Sequence, residues 1–272
     1  MKINVLMLEF GAQDKTVSEC SKVIRNSLLK YFEKGIFNKD SKFLLVLPEN
    51  FLFYPKSVAK LNEYYANGYI DKMLLELKNI AREFKVNIIA GSLPNKKDNK
   101  YFIECNCINE TGDIVKVYQK KHLFKANVNE VCYDESEIYH PGISDVIYEI
   151  GDFKLGLGIC FDLRFAEHFV KLRQSGANVL VLPAAFTKVT GKEVWEILLR
   201  ARAIENQCFV IGVGLAGITS SGDFCYGNSI SINPHGVILK SEDFVIDSCI
   251  LKAVILDLTE VIETRQKLYM QY

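Results

Sequence analysis

Two tight-turn signals do most to limit the fold. Asn109-Glu110-Thr111-Gly112-Asp113 separates the apolar runs 101–108 and 114–118, and Gly151-Asp152 separates 146–150 from 153–159. Each predicts an antiparallel hairpin, so a purely parallel doubly wound sheet is excluded. Elsewhere strand-length apolar runs (3–8, 43–47, 86–91, 179–182, 208–213, 226–232, 237–240 and 250–256) alternate with segments of helical period. Val17, Cys20, Val23, Ile24, Leu28 and Tyr31 recur at helical spacing up to Gly35. Ile70, Met73, Leu74, Leu77, Ile80, Ala81 and Phe84 form one apolar stripe over 68–85, and further helices are predicted near 165–174 and 192–206. About a dozen strands and four or five helices predict an α/β (α+β) chain of two mixed sheets with helices outside. No repeat or low-complexity tract interrupts the 272 residues, so one domain over 1–272 is expected.

Charge and composition remove several classes of function. Lys plus Arg number 33 and Asp plus Glu 33, which gives no basic surplus for nucleic acid or an anionic membrane. With 49% hydrophobic and 24% charged residues the chain is not a disordered one. The eight cysteines are an even set that invites a disulfide reading, yet the N-terminal apolar run is short and meets Glu9 before it forms a signal-peptide core. A cytoplasmic location with free thiols is expected, and no apolar run reaches membrane-spanning length.

Cys160 stands out by position. It ends the run Lys154-Leu155-Gly156-Leu157-Gly158-Ile159 and precedes a predicted helix. A strand-to-helix elbow lifts a side chain above a sheet edge, aims backbone N–H groups beside it and, through the helix end, lowers a thiol's pKa. A small buried hydrophobe is the alternative. Glu49 follows Leu44-Leu45-Val46-Leu47-Pro48, which places a carboxylate where a buried strand stops; a solvated charge is its alternative. Residues 119–144 are polar and irregular, a length that points to a functional loop. Lys120-Lys121-His122-Leu123-Phe124 opens that segment and Tyr133-Asp134-Glu135-Ser136 falls within it. Gly212-Val213-Gly214-Leu215-Ala216-Gly217 matches a dinucleotide fingerprint, but a loop follows where a helix is required. Cys105-Asn106-Cys107 lacks the usual zinc spacer, so neither cofactor nor metal is expected.

Together these segments resemble the nitrilase (carbon-nitrogen hydrolase) superfamily from residue 3 to about residue 267. The motifs are Pro48-Glu49, Lys120-Lys121-His122 and Gly158-Ile159-Cys160-Phe161-Asp162, supported by Pro183-Ala184-Ala185-Phe186, 200–207 and Gly227-Asn228-Ser229. The resemblance implies a four-layer αββα sandwich that forms a homodimer; the helix near 192–206 is the candidate interface element. It implies Cys160 as nucleophile, Glu49 as general base, Lys120 with the Phe161 N–H as oxyanion holders, Glu135 as a second glutamate, and Lys121 as an ordinary neighbour. Cys160-Phe161-Asp162-Leu163-Arg164 is similar to the amidase branch that includes ω-amidase and deaminated-glutathione amidase. There Arg164, Phe186 and Thr190 are implied to hold a substrate carboxylate; for Arg164 a structural pair with Asp162 or Glu167 stays open. The implied substrate is a small amide. N-carbamoyl hydrolysis, acyl transfer and a non-catalytic interaction protein are the competing readings. Residues 50–56 and Asn228 depart from the family pattern, and the former are expected at the pocket mouth.

Overall fold

The computed structural model describes residues 1–35, 41–54, 57–128, 131–220, 222–247 and 249–268. In chain order the elements are β1 (Lys2–Glu9), α1 (Val17–Glu33), β2 (Lys42–Val46), α2 (Val58–Ala66), α3 (Tyr69–Phe84), β3 (Asn87–Lys97), β4 (Lys100–Ile108) and β5 (Ile114–Gln119). Next come β6 (Lys125–Val128), β7 (Val131–Asp134), β8 (Ile147–Ile150), β9 (Phe153–Leu157), α4 (Ala166–Gln174), β10 (Val179–Ala184), α5 (Lys188–Asn206) and β11 (Phe209–Gly214). The chain continues with β12 (Ala216–Ile218), β13 (Phe224–Tyr226), β14 (Ile230–Ile232), β15 (Glu242–Ile246), β16 (Cys249–Asp257) and α6 (Thr259–Lys267).

Both large sheets are mixed, as the turn signals require. The seven-stranded sheet runs β15-β16-β1-β2-β3-β4-β5 and the five-stranded sheet β14-β11-β10-β9-β8. In the first, β1, β2 and β3 are mutually parallel; in the second, β9, β10 and β11 are. Ile3, Val5 and Leu44 from one sheet meet Leu155, Val179 and Ile211 from the other, so the apolar faces close on each other. α1 and α3 cover the first sheet and α4 and α5 the second. This is the four-layer αββα sandwich.

Local sequence explains the close packing. Thr16 caps α1 in a reciprocal box with Glu19, their backbone and side-chain bonds measuring 2.8 and 3.2 Å. A Cβ at Gly156 would stand 3.0 Å from Leu172, and one at Gly158 3.0 Å from Leu182, so this Gly-x-Gly run lets β9 lie against α4 and β10. On the other sheet the β3–β4 register shifts between Ala90 and Leu93, and a Cβ at Gly91 would meet the Pro48 carbonyl oxygen at 1.8 Å. That close approach seats the end of β2, from which Glu49 projects.

Several expectations need correction. The run 226–232 is two short strands, β13 and β14, and 237–240 forms only an isolated bridge from Ile238 to Ile232. Residues 119–144 are not wholly irregular: β6 and β7 pair as a hairpin, followed by a 3₁₀ turn over Glu135–Glu137. Sixteen strands and six α-helices occur among the described residues. Besides β6, β7 and the short β12, the additions are α2, β15 and α6, each of which presents few buried apolar side chains: Leu61 in α2, Phe244 and Ile246 in β15, and Val261 in α6. Finally, all eight cysteines are free; Cys132 is exposed, and the other seven, Cys160 among them, are buried.

Candidate active site

Glu49, Lys120 and Cys160 each follow the end of a strand, β2, β5 and β9 respectively, and Glu135 opens the 3₁₀ turn after β7. These are the carboxyl ends of strands, where sheet edges leave room for a site. Lys120 is fully buried. Its ammonium donates to Glu49 Oε1 at 2.9 Å and to Glu135 Oε1 at 2.9 Å. Glu49 Oε2 accepts the Ala185 amide at 2.9 Å, so both of its oxygens are committed. Glu49, Lys120 and the Ala185 amide all act on the proton affinity of the Cys160 thiol.

The electrostatics follow from that packing. Burial alone would discharge Lys120, but the negative charges of Glu135 and then Glu49 hold its ammonium well above the ordinary value. Burial raises the carboxyl of Glu135, opposed by Lys120 and by the Phe124 amide, which donates to its Oε2 at 2.7 Å. Cys160 goes the opposite way from the sequence expectation. Burial, with Glu49 beside it, pushes the thiol well above the ordinary value and outweighs Lys120 and the Ala185 amide. A resting neutral thiol therefore needs a base, and the adjacent carboxylate is placed to serve.

The elbow itself is strained. Cys160 has φ +46°, in the left-handed region, and begins a 3₁₀ turn over Cys160–Arg164 that leads into α4. Phe161 is in the first turn, where amides have no acceptor of their own within the turn. α5 braces the turn: the buried Arg202 donates from Nε and Nη2 to the Leu163 carbonyl at 3.2 and 2.8 Å.

The residues expected at the substrate end are placed differently. Arg164 is exposed, with its guanidinium carbon 6.0 Å from the Phe161 ring centroid, and it pairs with neither Asp162 nor Glu167 among the described residues. Phe186 is buried with its ring 5.3 Å from that of Trp195, whose indole N–H donates to the Asn228 carbonyl at 2.8 Å. Thr190, in the first turn of α5, has its hydroxyl 2.8 Å from that of Thr187, the helix cap. Beside Glu135 lies a cavity of about 240 Å³ walled by Asn50, Tyr54, Phe124, Cys132, Tyr133 and Glu137 among others. Arg164, Phe186 and Thr190 are not among its lining residues.

The state of Tyr54 and the partner of Lys121 are not foreseen in the sequence. The segment 50–56 is expected at the pocket mouth, and Asn50 and Tyr54 do line the cavity; Pro55 and Lys56 fall outside the described residues. The Tyr54 phenol in particular is held neutral, chiefly by burial and then by the charges of Glu49 and Glu135. Lys121 bonds Asp145 at 2.7 Å, which also meets His168 at 3.0 Å. Only the local motif Lys-Lys-His could have drawn attention to it.

Comparison with known proteins agrees with this fold. The sequence matches the carbon-nitrogen hydrolase family over residues 20–266. It is 31% identical over 242 residues to a deaminated glutathione amidase of Yersinia enterocolitica (87% of this chain, 81% of that one). It is 32% identical over 214 residues to the omega-amidase NIT2 of Homo sapiens (77% and 75%). The chain spans 43% of the Drosophila melanogaster nitrilase and fragile histidine triad fusion protein and 63% of the Dictyostelium discoideum nitrilase homolog 2. Among solved structures, Saccharomyces cerevisiae Nit3, of branch 10 of the nitrilase superfamily, superposes with TM-score 0.78 at 27% identity over 100% of this chain and 96% of that one. The chain belongs to the carbon-nitrogen hydrolase family of the nitrilase superfamily.

Proposed function

We propose that this chain is an amidase that cleaves the C–N bond of a small carboxylate-bearing amide through a cysteine thioester, releasing ammonia. The observation that carries the reading is one ammonium, Lys120, fixed between two carboxylates beside a neutral thiol on a strained elbow. Glu49 takes the Cys160 proton as sulfur bonds to the amide carbon. An ammonium has three donors, and two of those of Lys120 go to carboxylates, so the third is free to meet the oxyanion together with the Phe161 N–H. Glu49 then returns the proton to nitrogen and the C–N bond breaks. Water, deprotonated by Glu49, attacks the thioester and releases the acid and the thiol. Glu135 holds Lys120 and keeps it charged.

Relatives named as omega-amidases and deaminated glutathione amidases support this class of substrate. Arg164, exposed and without a carboxylate partner among the described residues, is the candidate carboxylate holder. Phe186 and Thr190 complete that side in this reading. The unit is the whole of 1–272 as one domain, acting in the cytoplasm, where eight unbridged thiols persist. Among the described residues no helix is long and apolar enough to cross a membrane. A homodimer through α5 is supported by Ile197 and Ile204, which are 68% and 53% exposed on that helix.

The test is ammonia release from succinamate, 2-oxoglutaramate and N-carbamoyl amino acids. Turnover of the first two is expected. Turnover of the carbamoyl compounds alone would transfer the assignment to carbamoyl hydrolysis, and no turnover of any would leave a non-catalytic protein.

A further inference from the structure

One buried carboxylate joins the two chain segments that this chemistry must keep in register. Asp162 Oδ2 accepts the Tyr118 hydroxyl at 2.7 Å and the Ile159 amide at 2.8 Å. Its Oδ1 accepts the His122 amide at 3.0 Å and His122 Nδ1 at 2.7 Å. Tyr118 stands two residues before Lys120 and His122 two after, while Ile159 immediately precedes Cys160. The side chain of Asp162 is therefore tied to both flanks of the lysine and to the residue that leads into the left-handed nucleophile.

The arrangement uses the full capacity of the group. A carboxylate has about four acceptor sites, and four donors occupy them, two from backbone and two from side chains. Asp162 itself is fully buried, so losing any of these donors leaves an acceptor with no water to replace it. The surroundings limit slippage: the His122 ring stacks on Phe165 at 3.7 Å, 9° from parallel, and Tyr118 is wholly buried in the core. Both rings are thus locked by packing before they bond to Asp162. None of the four bonds involves Lys120 or Cys160 directly, which leaves those side chains free for the reaction.

We propose that Asp162 is a positioning residue for C–N cleavage, a clasp that fixes the Lys120 ammonium relative to the Cys160 sulfur by holding both flanks of the lysine against the elbow. It rests on the amidase reading for its chemistry, though its geometry stands apart from it. The clasp acts through Lys120 and Cys160 and does not touch the substrate, so it governs kcat and leaves KM alone.

Asparagine cannot reproduce it, because one of the two oxygens becomes an N–H that faces donors. Asp162→Asn should lower kcat about 10²-fold, with KM changed less than about threefold. Since that variant is also at risk of misfolding, Tyr118→Phe and His122→Leu each remove one side-chain donor, and His122→Asn restores a donor in place of the ring. Tyr118→Phe and His122→Leu should each lower kcat about tenfold, with His122→Asn recovering most of the loss. A second readout needs no turnover: the rate of Cys160 alkylation by acrylamide, followed by peptide mass spectrometry in each folded variant. At least a fivefold change is expected in Tyr118→Phe and His122→Leu. Kinetics and alkylation within twofold of wild type, with only the Tm lowered, would make Asp162 a structural residue and overturn the proposal. If wild-type protein releases no ammonia while alkylation still tracks the clasp, the substrate assignment fails and the clasp stands.

Discussion

The proposed reacting centre and the proposed substrate rim of this molecule are built on different terms. Glu49, Lys120 and Cys160 are buried after strand ends, and Lys120 bonds Glu49 and Glu135 at 2.9 Å each. Arg164 lies exposed over an aromatic ring, and Thr190 is engaged with its own helix cap. A buried ion cluster is tolerated only when every charge has a partner, so its geometry is over-determined. An exposed guanidinium has no such constraint and is free to accept different anions. In the proposed amidase the reaction is fixed by the fold, while selectivity rests with an exposed side chain, Arg164.

The strongest way to break that contrast is to strike the centre. Cys160→Ala and Lys120→Met should each lose ~10³-fold or more in kcat. Removing the lysine also leaves Glu49 and Glu135 without their shared cation. Glu135 already has a raised carboxyl, so further raising means its protonation favours the folded state. The stabilising effect is present below the unfolded carboxyl value of about 4.3 and is lost as pH rises through the higher folded value. The Tm deficit of Lys120→Met relative to wild type should therefore shrink on acidification; a deficit independent of pH would contradict the buried-charge account.

The next test concerns the thiol. With Cys160 raised by burial, alkylation of Cys160 should keep climbing beyond pH ~8.5, the ordinary thiol value, whereas exposed Cys132 should be labelled first by a bulky reagent at neutral pH. A plateau for Cys160 below that pH would show a preformed thiolate and return the elbow to its sequence-based description.

At the rim, Arg164→Leu should raise KM about tenfold for carboxylate-bearing amides, leaving kcat, neutral amides and the Tm unaffected. Equal losses on neutral and anionic amides would move Arg164 into the centre. The smallest effect is expected from Thr190→Val: about 1 kcal/mol of stability from the lost hydroxyl contact, measured by denaturant unfolding. An unchanged KM for carboxylate-bearing amides in that variant would remove Thr190 from the proposed substrate side and leave it to the helix cap.

What was legible in the sequence divides along similar lines. Apolar strands such as Val179–Ala184 show themselves because both faces are buried, and motifs at their ends placed Glu49, Lys120 and Cys160. β15, with Glu242 and Asp243 at its start and an exposed Val245, offers no such pattern. The sign of the thiol shift was not legible either, because a helix end can be inferred from residue order but the depth of burial cannot. Asp162 belongs to the motif around Cys160, yet its partners Tyr118 and His122 lie about 40 residues away in sequence and meet it only in the folded chain.

The lone tryptophan of this chain carries a practical consequence. Trp195 is buried beside Phe186 and bonded through its indole to the loop at Asn228, on the same wall as the Ala185 amide that holds Glu49. The protein therefore contains a single-site optical reporter at its own catalytic wall. Its emission colour and lifetime register rearrangement of that wall without a label, a signal that no second indole dilutes.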